Sequence, residues 1–257
     1  MLLHIGAFQL DVNSQGNTPW HGLAPRTRVL FALLFVFATA LTPNERWGTW
    51  LIYAVGLMGL IILSRAALSV LLKRVAVESS FISVVLLGTL FRGGGTVLWQ
   101  WGWLQITSVG LAVLGSVTTK ALLCLLMLNL LVLTTSIPAL LHALAELKMP
   151  SLLVAILASM YRYIGVLIEE FATMRRAAAS RNLLSTARGK RLVTGNMIGS
   201  LFIRTYERGE RVHHAMLSRG YTGLPPTIEC PQGRLQDRWA IVTWVILLLL
   251  GQVVYFL

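Results

Sequence analysis

Long apolar runs make up most of the chain, separated by short segments rich in charge, Pro or Trp. A membrane-spanning helix needs about 20 mostly apolar residues. The runs that approach this length cover residues 29–42, 47–63, 75–91, 104–136 and 239–257. The pattern therefore predicts an all-α integral membrane protein with about five transmembrane helices.

Two of these runs do not fit a single span as they stand. Run 29–42 is short, so we expect its helix to start earlier, with Arg26 and Arg28 extending to the cytoplasmic surface. Run 104–136 would be about 50 Å long as one helix, longer than the roughly 30 Å hydrocarbon core. This helix must therefore tilt, break or project from the membrane.

Lys120 lies inside the apolar run 104–136. An ionisable residue inside a membrane is a functional-site hypothesis by default. The alternatives are an ion pair between helices, for which Glu78 offers a carboxylate, and a side chain that extends to the surface.

Composition and charge agree with a membrane protein. Apolar residues make up 56% of the chain and charged residues 12%, against roughly 25% charged in soluble domains. The positive-inside rule accounts for the net charge of +12 and places the N-terminus and the loop with Arg65, Lys73 and Arg74 in the cytoplasm. Tryptophans 99, 101 and 103 fit an aromatic belt next to an outer loop at 92–95. The sequence lacks the stacking surface of aromatic and basic residues that is typical of nucleic-acid binding.

A charged insert separates the last two apolar runs. Residues 142–238 hold 14 Lys and Arg against 7 Asp and Glu, which favours the cytoplasmic side. The sequence thus divides into a membrane domain over 1–137, a cytoplasmic domain over 138–238 and a final transmembrane helix over 239–257.

Two long amphipathic helices are predicted in this insert, after a shorter helix over 138–147. The first starts at Pro150 and Ser151, and in both helices one stripe of residues recurs at alternating spacings of four and three. The first stripe is Leu153, Leu157, Met160, Ile164, Leu167, Phe171, Met174 and Ala178. The second stripe is Ile198, Phe202, Thr205, Gly209, Val212 and Met216. We expect the stripes to pack on each other or on the membrane domain.

Gly209 is unusual in the second stripe, because glycine costs about 1 kcal/mol inside a helix relative to alanine. A close crossing of the two helices at Gly209 would offset this cost, and we expect the crossing there. On the same helix, Glu207 and Arg211 are spaced to form an ion pair one turn apart.

Both long helices end in a small residue followed by arginine. The two ends are Ser180-Arg181-Asn182 and Ser218-Arg219-Gly220. Each arginine alone is explained by the favourable interaction of a cation with a helix C-terminus. Two such ends in one insert favour docking into acidic grooves of a partner, because a guanidinium group binds carboxylates bidentately.

The sequence contains no recognisable pattern of catalytic or ligand-binding residues. It has no HExxH, no Ser/His/Asp arrangement and no GxxxxGK[ST] loop for phosphate. Neighbouring residues on a helix point about 100° apart, so His213 and His214 do not make a facing metal pair. A secondary transporter would show repeated halves, which are not seen. We therefore expect no catalytic activity, no metal site and no cofactor.

The two helix ends resemble the paired Ala-Arg-Gly-like motifs in the transmembrane T component of energy-coupling factor (ECF) transporters. The matching segments are Ala179-Ser180-Arg181-Asn182 and Leu217-Ser218-Arg219-Gly220. The stretch at 160–177 resembles the run that precedes the first motif in this family. The stretch at 199–221 resembles most the cobalt- and nickel-type, CbiQ-like branch. The departure is Asn182, where the family usually has Gly.

The resemblance implies a non-catalytic scaffold of an importer, with several spans in the cell inner (plasma) membrane and a cytoplasmic N-terminus. The implied partners are two cytoplasmic ATPase subunits, a membrane substrate-binding S component of the cobalt type and, as an optional addition, a small accessory membrane subunit. The implied ATPase-coupling residues are Ser180, Arg181, Asn182, Ser218, Arg219 and Gly220. The implied cargo is Co²⁺ or, next, Ni²⁺; a vitamin-type ECF transporter and an intramembrane enzyme are the alternatives.

Overall fold

The structure is a computed structural model, and it describes residues 18–43, 47–65, 68–90, 97–101, 104–221 and 235–256. Helices dominate these ranges, with one short β-hairpin. The helices are α1 Pro25–Leu41, α2 Trp47–Ser64, α3 Leu68–Leu90, α4 Ser108–Thr134, α5 Ile137–Glu146, α6 Ser151–Ser180, α7 Ala187–Ser218 and α8 Leu235–Phe256. The strands are β1 Val97–Trp101 and β2 Leu104–Thr107.

The predicted all-α membrane fold is confirmed, with the hairpin as a local difference. β1 and β2 pair antiparallel, and Trp101 lies opposite Leu104. We predicted a helix from residue 104, but α4 begins at Ser108. A short apolar segment does not distinguish strand from helix by its pattern alone. Residues 92–95 and Trp103 lie outside the described ranges.

Among the described residues, three helices are long and apolar enough to cross a bilayer. They are Trp47–Ser64, Val109–Thr134 and Ser151–Ser180. The first two match predicted spans. The third is α6, which we predicted to lie in the cytoplasm, and its first 18 residues hold one charged side chain, Arg162. α1 begins at Pro25, earlier than its apolar run, as expected.

Contacts divide the chain into two compact units. The membrane unit comprises the described residues up to Ala143 together with α8. The α6–α7 unit comprises residues 144–221.

An aromatic cluster forms the centre of the membrane unit. Trp244 of α8 packs against Phe31 and Phe35 of α1, with ring centroids 5.4 and 5.9 Å apart. Trp20 stacks on Phe31 at 5.6 Å, and Tyr53 of α2 meets Phe35 edge-on at 5.8 Å. The cluster therefore fixes α1, α2 and α8 to one another and to the turn that precedes α1.

Buried polar groups surround Arg28 beside this cluster. Arg28 is 7% exposed, and its guanidinium donates hydrogen bonds to the carbonyl oxygens of Thr134 (2.7 Å), His21 (2.6 Å) and Leu23 (3.0 Å). The Thr134 hydroxyl, at the end of α4, accepts from Trp20 Nε1 at 2.9 Å. Burial, and secondly the charge of Arg28, lowers the pKa of His21. The expectation that Arg28 extends to the surface is wrong, because main-chain carbonyls of this chain bind both terminal nitrogens of its guanidinium.

Lys120 has a neutral partner in the membrane unit. Its Nζ lies 5.4 Å from the centroid of the Trp50 ring, within the range of a cation–π interaction. Glu78 instead accepts a hydrogen bond from Asn129 Nδ2 at 2.6 Å. Lys120 therefore links α4 to α2 through an aromatic ring, and Glu78 is bound elsewhere on α4.

Candidate functional site

The ends of both long helices of the α6–α7 unit fall where the sequence predicts them. α6 ends at Ser180 and α7 at Ser218. α7 begins at Ala187, well before the predicted stripe, where Thr186 Oγ1 caps it by accepting from the Gly189 N–H at 3.1 Å.

Both helix ends adopt the same backbone geometry. Arg181 and Arg219 occupy the C-cap positions, with φ and ψ of −89° and 7° at one and −94° and 12° at the other. The residues that follow, Asn182 and Gly220, are left-handed, with φ of 55° and 77°. Asparagine and glycine enter this region more readily than other residues. The departure from the family pattern at Asn182 therefore preserves the turn.

Main-chain hydrogen bonds identify both turns as Schellman motifs. At α6 the bonds run from the N–H of Asn182 to the oxygen of Ala179 (3.0 Å) and from that of Leu183 to Ala178 (3.1 Å). At α7 the Gly220 N–H donates to the carbonyl oxygen of Leu217 (3.0 Å), and the Tyr221 N–H donates to that of Met216 (3.1 Å). The two arginines thus leave their helices from equivalent positions.

The side chains at these ends differ in how they are used. Ser180 and Ser218 donate back to carbonyl oxygens of their own helices, at 2.9 Å each. Arg181 and Arg219 are exposed, and within the described part of the chain neither forms an ion pair. The guanidinium groups are therefore the parts of the two motifs that can bind acidic groups of another molecule.

An acidic residue of α6 holds α7 beside it. Glu170 lies 3.6 Å from Arg204 and 3.2 Å from Arg208, and its side chain is 18% exposed. The predicted pair of Glu207 with Arg211 is confirmed at 3.9 Å, although it is exposed. A carboxylate between two arginines is a small network, and it stabilises more than an isolated surface pair does.

Gly209 does not lie at a close crossing. It is exposed, and an added Cβ would meet no heavy atom of the described residues within 4 Å. The prediction of a crossing there is wrong. A small residue permits close approach without causing it, and the ion pairs of Glu170 bring α6 to the side of α7 that carries Arg204 and Arg208.

Much of both apolar stripes is exposed within this chain. Ile198 is 56% and Phe202 72% exposed on α7, and Met160 is 57% exposed on α6. The stripes therefore do not form a continuous seam between the two helices. Contiguous exposed apolar faces are typical of surfaces that contact a partner or lipid.

A third turn of the same kind was missed from the sequence. α5 ends at Glu146, and Lys148 is left-handed with φ of 64°. The Lys148 N–H donates to Ala145 at 3.1 Å and the Met149 N–H to Leu144 at 3.2 Å. The signal that could have revealed it is Pro150, three residues after the C-cap Leu147, since proline is common one to three residues beyond a helix end.

Asn182→Gly is expected to preserve the turn after α6, whereas Asn182→Val is expected to open it. A β-branched residue with positive φ costs roughly 1–2 kcal/mol, which corresponds to roughly five- to thirtyfold faster exchange of the Leu183 amide hydrogen. Hydrogen exchange read by mass spectrometry or NMR measures this. Asn196→Val, an exposed position within α7, is the control, and equal exchange in the two Val variants would contradict the prediction.

No group of three or more His, Cys, Asp or Glu residues is placed to hold a metal ion in the ranges that the structure describes. The rings of His213 and His214 are 6.0 Å apart and tilted by 49°.

Comparison with known proteins gives the family. A family model described as CbiQ, cobalt transport protein, matches residues 16–229, a stretch that includes both arginine ends. The chain belongs to the CbiQ family. This CbiQ-family chain is 28% identical over 227 residues to the energy-coupling factor transporter transmembrane protein EcfT of Lacticaseibacillus paracasei, covering 81% of this chain and 83% of the relative.

Two further relatives extend the comparison. EcfT of Thermanaerovibrio acidaminovorans is 29% identical over 248 residues, which cover 90% of this chain and 88% of the relative. An uncharacterized protein of Methanocaldococcus jannaschii is 41% identical over 101 residues, which are 38% of each chain. The CbiQ-family chain is thus a transmembrane component of an ECF transporter.

Proposed function

We propose that this chain couples ATP hydrolysis by two cytoplasmic ATPase subunits to the uptake of a divalent transition-metal ion through a membrane S component. Co²⁺ is the first candidate for the cargo and Ni²⁺ the second. The observation that carries the proposal is the pair of equivalent helix ends, each with an exposed arginine outside any ion pair in the described residues. Ser180, Asn182, Ser218 and Gly220 shape the turns, and Arg181 and Arg219 bind the ATPases.

The equivalence of the two ends suits two copies of one partner. Two identical grooves need two guanidinium groups that are presented in the same way, and the C-cap angles of Arg181 and Arg219 differ by only a few degrees. Charge-assisted contacts of arginine with carboxylates are strong and directional. Each ATPase would therefore bind one end.

Transmission of force requires that the two ends move together. Glu170 links α6 to Arg204 and Arg208 of α7, so a displacement of one helix acts on the other. The exposed apolar stripes around Met160 and Phe202 are the surfaces through which this motion would reach the S component.

The choice of cobalt follows from the description of the family as cobalt transport proteins. A vitamin-type ECF transporter is the second candidate, because relatives named EcfT match over four fifths of the chain or more. An intramembrane enzyme has no comparable observation in its favour.

The cargo is tested by uptake in cells that express the whole complex. Radioactive Co²⁺ is expected to accumulate, Ni²⁺ to compete with it, and both to depend on this chain and on an ATPase competent in hydrolysis. The control is the same complex without this chain. Uptake of a vitamin with no uptake of either metal would contradict the metal assignment and leave the coupling role in place.

A further inference from the structure

A pocket lies between the C-terminal part of α6 and the first part of α7. Its volume is about 330 Å³, within the roughly 300–1,000 Å³ range of small-molecule sites. It is lined by Phe171, Arg175, Leu184, Lys190, Thr194 and Met197. Two cations thus stand beside three apolar side chains, which is a lining suited to an anionic group attached to hydrocarbon.

Among the described residues, no acidic side chain forms an ion pair with the two cations of this pocket. Residues 171–206 hold seven Lys and Arg and no Asp or Glu. Glu170, the acid next to this stretch, is engaged by Arg204 and Arg208. Neither Arg175 nor Lys190 forms an ion pair within the described residues, and both are exposed.

The position of the pocket along α6 matches the level of lipid headgroups. The apolar first part of α6 runs to Ile168 and makes this helix long and apolar enough to enter a bilayer. Arg175 follows seven residues later, or about 10 Å further along the axis. A helix that is apolar over its first part and basic beyond it places its cations at the surface of the hydrocarbon, where anionic lipids present phosphate.

We propose that this pocket binds the phosphate headgroup of an anionic phospholipid. Arg175 and Lys190 bind the phosphate oxygens, and Phe171, Leu184 and Met197 contact the first carbons of the glycerol and acyl chains. The bound lipid holds the basic end of the α6–α7 unit at the membrane surface, while Arg181, beyond the pocket, stays available to an ATPase.

Native mass spectrometry of the purified full chain in detergent tests the site without ATPase or metal. The probes are dioleoyl-phosphatidylglycerol, dioleoyl-phosphatidylcholine and inorganic phosphate. The wild type is expected to retain phosphatidylglycerol over phosphatidylcholine. Arg175→Gln with Lys190→Gln should lower its retention about thirtyfold, the effect of two cations at a membrane surface. The matched control is Arg162→Gln with Arg211→Gln, which removes the same charge from the same two helices.

Each other outcome overturns the assignment. Equal losses in the two variant pairs would mean a general attraction to positive charge. Displacement of phosphatidylglycerol by inorganic phosphate would mean a site for free phosphate. Unchanged lipid retention in the pocket variant would mean that the pocket does not bind the lipid. A separate co-purification of the ATPases that also fails with this variant would then assign the pocket to a protein interface. Arg175→Lys with Lys190→Arg keeps the charge and should keep the lipid, which separates loss of the site from loss of the fold.

Discussion

Changing both Arg181 and Arg219 to Glu is expected to abolish capture of the ATPase subunits. Each substitution turns attraction to an acidic groove into repulsion, which costs about 2–5 kcal/mol per site at a desolvated contact. The two ends are exposed and make no ion pair among the described residues, so the fold should survive. Co-purification of the ATPases with a tagged chain from membranes measures the effect.

The single variants separate the contributions of the two ends. Arg181→Glu and Arg219→Glu should each weaken capture to a similar extent, because the two turns are equivalent. Arg211→Glu is the control, since this exposed arginine lies inside α7 and pairs only weakly with Glu207. Wild-type capture by the double variant, at wild-type yield, would refute the docking role.

Replacing Arg28 by Leu is expected to destabilise the membrane unit strongly. The carbonyl oxygens of His21, Leu23 and Thr134 would lose their donor, and a buried acceptor without a partner costs about 1–3 kcal/mol. Asp237 of α8, 6% exposed, would lose a nearby positive charge. We expect the free energy of unfolding to fall by about 3–5 kcal/mol. The melting temperature in detergent should drop by roughly 10 °C.

Arg26→Leu is the matched control for this effect. Arg26 lies in the same first turns of α1 but is exposed, so its loss should shift the melting temperature by no more than about 1–2 °C. The melting temperature of Arg28→Lys should lie between those of the two Leu variants, because a single ammonium group cannot reproduce the forked arrangement of donors of a guanidinium. Equal melting of the two Leu variants would show that the hydrogen bonds of Arg28 do not stabilise the fold.

Sequence periodicity was sufficient for the helix ends that matter most. The stripe of α6 repeats without interruption from Leu153 to Ala178, so the helix and its end at Ser180 follow directly. The start of α7 was missed because residues 187–197 hold three Lys and Arg and two Gly, which hide the periodicity. The left-handed residue after each helix was signalled by glycine at Gly220 and by asparagine at Asn182, since both residue types enter this region readily, whereas Lys148 carries no such signal.

The remaining differences arise from contacts between distant segments. The partners of Arg28 come from the turn before α1 and from the end of α4, and no local pattern relates these segments. Glu78 and Lys120 have opposite charges, yet Asn129 and Trp50 are their neighbours. At Gly209 the prediction inferred a helix crossing from a small residue, although such a residue permits a crossing without causing one.

The Schellman turns give the length of α7 a meaning of its own. The turn fixes the position of Arg219 relative to the end of α7. One residue inserted into α7 would therefore move Arg219 by about 1.5 Å along the helix axis and rotate it by about 100° around that axis. Four residues would advance it by about 6 Å but return it to within about 40° of its direction. The position of Arg219 therefore depends on the length of α7. Substitutions along the exposed stripe should leave this position unchanged, whereas insertions or deletions should displace it. Divergence among such subunits should leave the residue count of α7 fixed, or change it by whole turns in step with the spacing of the grooves it meets.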